Sequence, residues 1–468
     1  MRKILLVIGA FVVFQTASAN DSIKIFSLEE YLQVIKKYHP VARQSNLQID
    51  KAKASLTVAR GSFDPLLSSN GSNKTFDGQN YYQHTNTQLS IPTWYGIELQ
   101  GGIEYLGGTK TDPQETTGKT SFAGISIPIA KNLLMDKRRA ALQQAKIMLQ
   151  ASEQERRNML NDLMMEAIAA YWQWVEYYFV FKTYNDVIEL NNKRVGLVKV
   201  AYQIGERPAI DTTEAIAQLQ QFEYLRNEAM LNWQNAQLLL NTFLWKENNQ
   251  LVELPHLVVP DKKIEVLPDE VSFPQLETML GDSKKNHPQL SMYDFKLKML
   301  DVDKKLKFQE LLPKVDLKYN LLGKGYQLTP MLTQALFDNN YKAGFSISVP
   351  LRLSQGRGEY KQAKLKITEM KYEQSLKETV VHNKIRMYYN ELVNYKTQVN
   401  LLQRSYTNYQ RLQQGEETRF FAGESSLFLL NSRENKTLET RIKFIETVIK
   451  FSKANYSLKW AAGELWKL

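Results

Sequence analysis

KKYHP, from Lys36 to Pro40, returns 248 residues later as KKNHP, from Lys284 to Pro288. At the same offset Pro65 in GSFDPLLS answers Pro313 in ELLPKVDL, so the helix between motif and proline has one length in both places. The register then drifts without vanishing. Ile125–Pro128 (ISIP) pairs with Ile347–Pro350 (ISVP), Tyr171-Trp172 with Tyr388-Tyr389, and Gly205-Glu206 with Gly423-Glu424. The chain states one plan twice: helix, strands, long helix, glycine turn, helix. An internal repeat decides the architecture before any single site does. It divides the sequence into a leader (1–19), a first repeat (20–245), a connector (246–272) and a second repeat (273–468).

In the leader, Arg2 and Lys3 precede an apolar run from Ile4 to Phe14 and an Ala17-Ser18-Ala19 exit, the pattern of a secretory signal peptide. Its apolar core is shorter than the ~20 residues that span a bilayer, which argues against a membrane-anchoring helix. The mature chain is expected to begin at Asn20 and to leave the cytoplasm. Cysteine is absent, so neither a disulfide nor a lipid-modified N-terminal cysteine is expected. No later segment is a long uncharged apolar run, so entry into a membrane would require a closed β-barrel. The net charge of +11 becomes +9 (11 − 2) once Arg2 and Lys3 are removed. The basic residues are scattered among acids, with no basic run interleaved with aromatics. They read as the solvated faces of long helices, not as a nucleic-acid surface.

Phe26 to Ala59 has a helical pattern, opened by Ser27 with Glu29 and Glu30 in the first turn and stopped at Gly61. From Asp64 to Ile129 the composition shifts to Ser, Thr, Gly, Asn and aromatics, with alternation in Thr87–Ile91, Gly96–Tyr105 and Ser121–Ile127. This is strand territory, and its counterpart is Lys314–Pro350. Asp136 to Tyr202 contains no proline and reads as one helix on the order of 100 Å long. Leu160, Ala167, Trp174, Phe181, Ile188, Val195 and Tyr202 fall seven apart, with Leu163, Ala170, Tyr177, Tyr184 and Val198 as a companion row. A sustained seven-residue repeat implies coiled-coil packing. The second repeat matches it from Gly358 to Phe421, with Ile385, Leu392, Val399 and Tyr406 in register. Each long helix ends at a glycine turn, Gly205-Glu206-Arg207-Pro208 or Gly423-Glu424-Ser425-Ser426, and a shorter helix returns to about Leu244 or Leu465. Pro255, Pro260 and Pro268 mark the connector as irregular, with room for a small strand.

Taken in order, SLEEYLQVIKKYHPVARQS, its echo QLETMLGDSKKNHPQLSMY, ISIP and ISVP, IGERPAIDTTEA, AGESSLFLLNSRE and the terminal AAGEL resemble the TolC-type outer-membrane efflux proteins over essentially the whole mature chain. None of these motifs is specific alone; their order, duplication and helix lengths are. The resemblance implies a mainly α fold with a membrane β-barrel. Each chain of a homotrimer would supply four strands to a twelve-stranded barrel and its helices to a coiled-coil tunnel across the periplasm. Asp64–Ile129 leaves room for an additional hairpin around Thr87–Tyr105, in the barrel wall or in an external loop. The resemblance also implies a localisation in the outer membrane, in contact with its lipid, and a function as the exit duct of a tripartite efflux or type I secretion system. The partners would be a periplasmic adaptor (membrane fusion) protein and an inner-membrane transporter, either an efflux pump or an ABC exporter.

The resemblance places the gate at the glycine turns. Family members carry a Tyr three before the turn glycine, an Arg two after it, and acids six and nine after it. Here the first turn has Tyr202, Gly205, Arg207, Asp211 and Glu214 at those offsets, and the second has Phe420, Gly423, Ser425, Leu429 and Ser432. The family draws the set from the second repeat; this chain carries it in the first. Rings of Asp211 and Glu214 in a trimer would keep the tip cation-selective, with its polar latch built within one repeat. The competing reading makes both simple first-turn acids favoured by the helix dipole.

No catalytic constellation, cofactor motif or metal-ligand spacing stands out. His39, His84, His256, His287 and His382 lie in unrelated contexts, and His39 and His287 each precede a proline in a repeated helix, a structural role. Tyr171–Tyr184 reads as coiled-coil core, and Phe76, Tyr81, Tyr82, Trp94, Tyr95, Tyr105, Tyr319 and Tyr326 as the candidates for a membrane-interface belt. The rival to the duct is a soluble periplasmic coiled-coil adaptor or scaffold. It would explain the helical hairpins and the export, but it has no need of strands of matching phase in both halves.

Overall fold

The computed structural model describes residues 24–255, 258–261, 275–326 and 339–468. The expected leader, His256 and residues 262–272 of the connector lie outside them. The first repeat runs β1 (Lys24–Phe26), α1 (Leu28–Tyr38), α2 (Pro40–Gly61), β2 (Leu66–Phe76), β3 (Gln79–Pro92), β4 (Glu98–Gly107), β5 (Gly118–Pro128), α3 (Lys137–Gln203) and α4 (Ala209–Asn241). After β6 (Val258–Pro260) the second runs α5 (Leu276–Asn286), α6 (Pro288–Phe308), β7 (Lys314–Lys324), β8 (Tyr341–Ser348), α7 (Ser354–Phe421) and α8 (Leu427–Ala461). The duplication is close in length as well as order: α1 and α5 have 11 residues each, β2 and β7 11 each, and α3 and α7 have 67 and 68.

The helix expected from Phe26 to Ala59 is two helices. Pro40 has no backbone N–H to continue the ladder and its ring pushes the preceding residue out of the helical region. His39 accordingly turns extended at φ −63°, ψ 136°, and His287 repeats the break at φ −66°, ψ 123°. Ser27 caps α1 as its position suggested, its Oγ accepting from the Glu30 N–H at 3.2 Å.

The chain forms two compact units, and each draws on both repeats. One comprises Met1–His39, Ala167–Val271 and Thr397–Ser452. In it β1 pairs in parallel with β6, the small strand the connector had room for. The Tyr171 hydroxyl donates to the Phe26 carbonyl at 2.9 Å. Trp174 is fully buried, and Tyr171, Phe179 and Tyr184 nearly so, which makes this aromatic run core. Further along, Ile188 and Tyr184 pack with Phe222, Ala229 and Leu438.

The other unit comprises Pro40–Glu166, Ser272–Lys396 and Lys453–Leu468 and holds the sheet. Six strands pair antiparallel in the order β2-β3-β4-β5-β7-β8. Among the described residues the sheet thus has six strands where four were expected, because the additional hairpin, β3–β4, lies inside it. Register puts Leu67, Leu89, Ile91, Leu99, Ile103, Ile125, Leu317, Tyr319, Phe345 and Ile347 on one face, and Asn70, Asn86, Gln88, Gln100, Glu104, Ser126, Lys318 and Ser346 on the other. Strand side chains alternate in direction, so this is a two-faced sheet. Its apolar face is uncovered: Leu67 is 69 % exposed, Phe345 75 % and Ile347 61 %.

The His-Pro corner of the second repeat is locked by the C-terminal AAGEL. His287 is 4 % exposed and caps α6 by accepting, through Nδ1, from the Gln289 N–H at 3.2 Å. A Cβ on Gly463 would meet Pro288 Cδ at 2.6 Å and the His287 ring at 3.0 Å, so the last turn lies flush on the corner because that residue has no side chain. Burial holds the His287 imidazole down at about 4, well below its ordinary range. His39, at the first corner, stacks on Phe243 with ring centroids 5.7 Å apart, and desolvation lowers it too. Both histidines have the structural role their context suggested.

Candidate functional site

The two glycine turns meet in the first unit. Each long helix ends in the same reciprocal cap: the Gly205 N–H donates to the Tyr202 carbonyl at 3.0 Å and the Glu206 N–H to Ala201 at 2.9 Å, while Gly423 donates to Phe420 at 3.1 Å and Glu424 to Arg419 at 2.9 Å. This cap requires the left-handed backbone that glycine adopts without cost, and Gly205 and Gly423 stand at φ +80° and +79°. The repeated Gly-Glu pair of the sequence is this motif.

Arg207 joins the turns. Its guanidinium donates to the Phe420 carbonyl at 2.6 Å and the Ser425 carbonyl at 3.4 Å, lies 4.1 Å over the Phe420 ring and stands 3.6 Å from the Asp211 carboxylate. A cation placed on the last carbonyls of α7 meets the negative end of that helix. The Asp211 contact stays within one repeat, as a one-repeat latch requires, but the shortest bonds cross to the other. Phe420, 3 % exposed, anchors the junction in a core with Val195, Val198, Ala215, Leu427 and Leu430.

The remaining residues of the set divide. Glu214 accepts from Asn431 Nδ2 at 3.0 Å, and Ser425 Oγ donates to Glu416 at 2.5 Å. Tyr202 takes part through its backbone, and its side chain is 48 % exposed. Leu429 and Ser432 are exposed as well. Ser426, not Ser425, caps α8, its Oγ accepting from the Leu429 N–H at 3.3 Å.

Sequence reasoning missed the buried ion pair behind the turns. Arg194 donates to both Glu434 carboxylate oxygens, at 2.7 and 3.1 Å, and Asn191 donates to the same group at 3.1 Å. The side chains of Arg194 and Glu434 are 6 % and 3 % exposed. A signal was present, because Asn191 occupies the place in the companion row between Tyr184 and Val198, and a polar residue at a seam position sets register.

Among the described residues one group offers metal-ligand chemistry. His84 Nε2 lies 2.6 Å from Glu104 Oε1 across the β3–β4 ladder, with Glu115 completing a set of ligand atoms within 4.8 Å of one another. The pairing is cross-strand, so linear spacing does not show it. The histidine and carboxylate already satisfy each other. No described helix is long and apolar enough to cross a membrane.

No family model matches the sequence, and no curated protein does. Solved structures do match. The Campylobacter jejuni CmeC outer membrane channel superposes with a TM-score of 0.66 at 15 % identity, over 93 % of this chain and 85 % of that one. The Neisseria gonorrhoeae MtrE outer membrane channel in its open state gives 0.65 at 13 %, over 93 % and 88 %, and the Vibrio cholerae outer membrane protein VceC 0.65 at 12 %, over 93 % and 96 %. The chain has the TolC-type outer-membrane channel fold. The duplicated chain, with its paired glycine turns and its two-faced sheet, carries no catalytic constellation among the described residues.

Proposed function

We propose that this chain is the outer-membrane exit duct of a tripartite efflux or type I secretion system. It works as a homotrimer, receives cargo from a periplasmic adaptor and an inner-membrane transporter, and releases it outside. The observation that carries this reading is the sheet. Apolar side chains stand uncovered on one face of six paired strands while amides, hydroxyls and charges line the other, the distribution of a barrel wall with lipid outside and water within. A soluble adaptor would bury that face or make it polar.

In the same reading the two glycine turns are the periplasmic gate. Arg207 latches the first turn to the second, and Asp211 and Glu214, repeated threefold, line the entrance with negative charge. Fractionation tests the location: the protein is expected in the outer membrane, resistant to salt extraction, and recovery in the soluble periplasmic fraction alone would overturn the duct. Reversal potentials in planar bilayers test the gate. Asp211→Asn with Glu214→Gln is expected to abolish cation preference; unchanged preference would return both acids to the role of first-turn residues.

A further inference from the structure

We infer that the β3–β4 hairpin is part of the lipid-facing wall, and that copies of this chain join β8 to β2 to close an eighteen-stranded barrel. The proposal rests on the threefold assembly proposed above, from which six strands per chain make eighteen.

The hairpin is integral to the sheet. β3 pairs with β4 from Gln83↔Gly107 to Pro92↔Glu98, and β4 with β5 from Glu98↔Ser126 to Leu106↔Gly118, without a break in either ladder. Its two faces hold the phase of their neighbours. Leu89, Ile91, Leu99 and Ile103 continue the apolar face of Leu317 and Tyr319, and Asn86, Gln88, Gln100 and Glu104 continue the polar one. A hairpin folded into the lumen or lying outside as a loop has no reason to keep a lipid face.

The hairpin is also anchored. At its turn, the Thr93 N–H donates to the Ile97 carbonyl at 2.9 Å, Trp94 stacks on Phe63 with centroids 4.5 Å apart, and Arg138 reaches Glu98 at 3.5 Å. On the polar face Gln100 donates to Asn320 Oδ1 at 2.7 Å, across the whole width of β5. The bond passes over Gly124, where any Cβ would collide with Asn320. A strand of the added hairpin is thereby tied to a strand of the second repeat.

The edges supply the partner. Among the described residues β2 and β8 each have one neighbour, so their outer backbone groups have no strand partner there. Lipid offers no hydrogen bonds, and six strands are fewer than the ~8 of the smallest membrane barrels, so closure needs further copies. Six is even. The β8 of one copy and the β2 of the next therefore run antiparallel, and the joining pair has the same sense as those within the chain. With strands ~4.8 Å apart and tilted ~40°, eighteen give a wall about 36 Å across, against about 24 Å for twelve.

Two measurements on the full-length protein in lipid nanodiscs test this. The first is a strand count from electron cryomicroscopy. The second is nitroxide labelling, for which the absence of native cysteine gives a clean background. A threefold wall of eighteen strands is expected. Labels at Leu89→Cys and Ile103→Cys are expected to be relaxed by oxygen, and those at Asn86→Cys and Gln88→Cys by a water-soluble nickel chelate. A threefold twelve-stranded wall, with all four labels open to the chelate, would overturn the inference and leave the duct standing. A twofold barrel would overturn it as well. A particle with no barrel would overturn the duct itself.

Discussion

Arg207 has several partners at once, and its loss reaches both turns. Hydrogen bonds to a charged group contribute about 1.5–3 kcal/mol each when buried, and the side chain is 19 % exposed. Arg207→Ala is therefore expected to weaken the junction by roughly 1–3 kcal/mol. In single-channel recordings the open fraction should rise by about fivefold to a hundredfold, since ~1.4 kcal/mol is one decade; an unchanged open fraction would remove Arg207 from the latch. Arg194 and Glu434 behave differently because both are buried. Removing Arg194 leaves Glu434 charged and without a cation, which costs about 3–5 kcal/mol, whereas replacing both with apolar residues of similar volume is near neutral. Arg194→Met is expected to lower the thermal midpoint markedly, and Arg194→Met with Glu434→Leu to restore most of it. His287 adds a pH term. Its folded value of about 4 lies below the ~6.5 of an unfolded histidine, so between those values the unfolded state binds the extra proton. Its contribution is complete above pH ~6.5 and falls away toward pH ~4, by roughly 3 kcal/mol in all. His287→Asn keeps a cap acceptor and loses the proton, so it is expected to flatten the stability profile across that window. A profile as steep as the parent's would place the titration elsewhere.

At the scale of elements, the three caps built on Gly-Glu make a graded comparison. Gly205, Gly423 and Gly463 all have positive φ, but only Gly463 has neighbours within 4 Å of a Cβ. Alanine at either tip glycine is expected to cost about 1 kcal/mol, the price of a left-handed alanine. At Gly463 the collision with the His287–Pro288 corner adds to that, and the loss of thermal stability in Gly463→Ala is expected to exceed clearly the loss in Gly423→Ala. Equal losses would mean that the corner yields. The helices were legible in the sequence because their signals are local: the seven-residue rows, the prolines and the Ser27 cap lie within a turn or two of what they specify. The strands were legible as strands but not as neighbours. Alternation names a face, while pairing joins Ile125 to Tyr319 across the intervening helices. The same distance hid the site. Arg207 and Asp211 stand four apart and were found by offset, whereas Arg194 and Glu434 are 240 residues apart, and only the polar break at Asn191 hinted at them. The helical pattern of Phe26–Ala59 runs through His39 without a gap, and KKYHP, conspicuous as a repeat, is also a stop because of its proline.

At the scale of the whole molecule the sheet's two faces make opposite demands. A lysine at the lipid midplane of a barrel costs about 2–4 kcal/mol, and one in the lumen little. Ile103→Lys is expected to reduce the fraction of protein assembled in the outer membrane, while Gln88→Lys, on a paired strand with the opposite orientation, assembles at the parent level. Equal yields from the two would mean that Ile103 does not face lipid.

The seam between β5 and β7, stapled over Gly124 by Gln100 and Asn320, also fixes an order of events in time. In the proposed duct the chain would cross the inner membrane from its N-terminus, so the first four strands of the sheet would emerge while their fifth neighbour, almost two hundred residues behind Pro128, is still inside the cell. Until Lys314 arrives, the open side of β5 is a sticky template in an aqueous compartment, and such long-range pairing is slow and exposed to aggregation. The duplication that makes the fold economical to encode thus makes it hazardous to deliver, and a chain cut short after Pro313 would be left holding that edge for good.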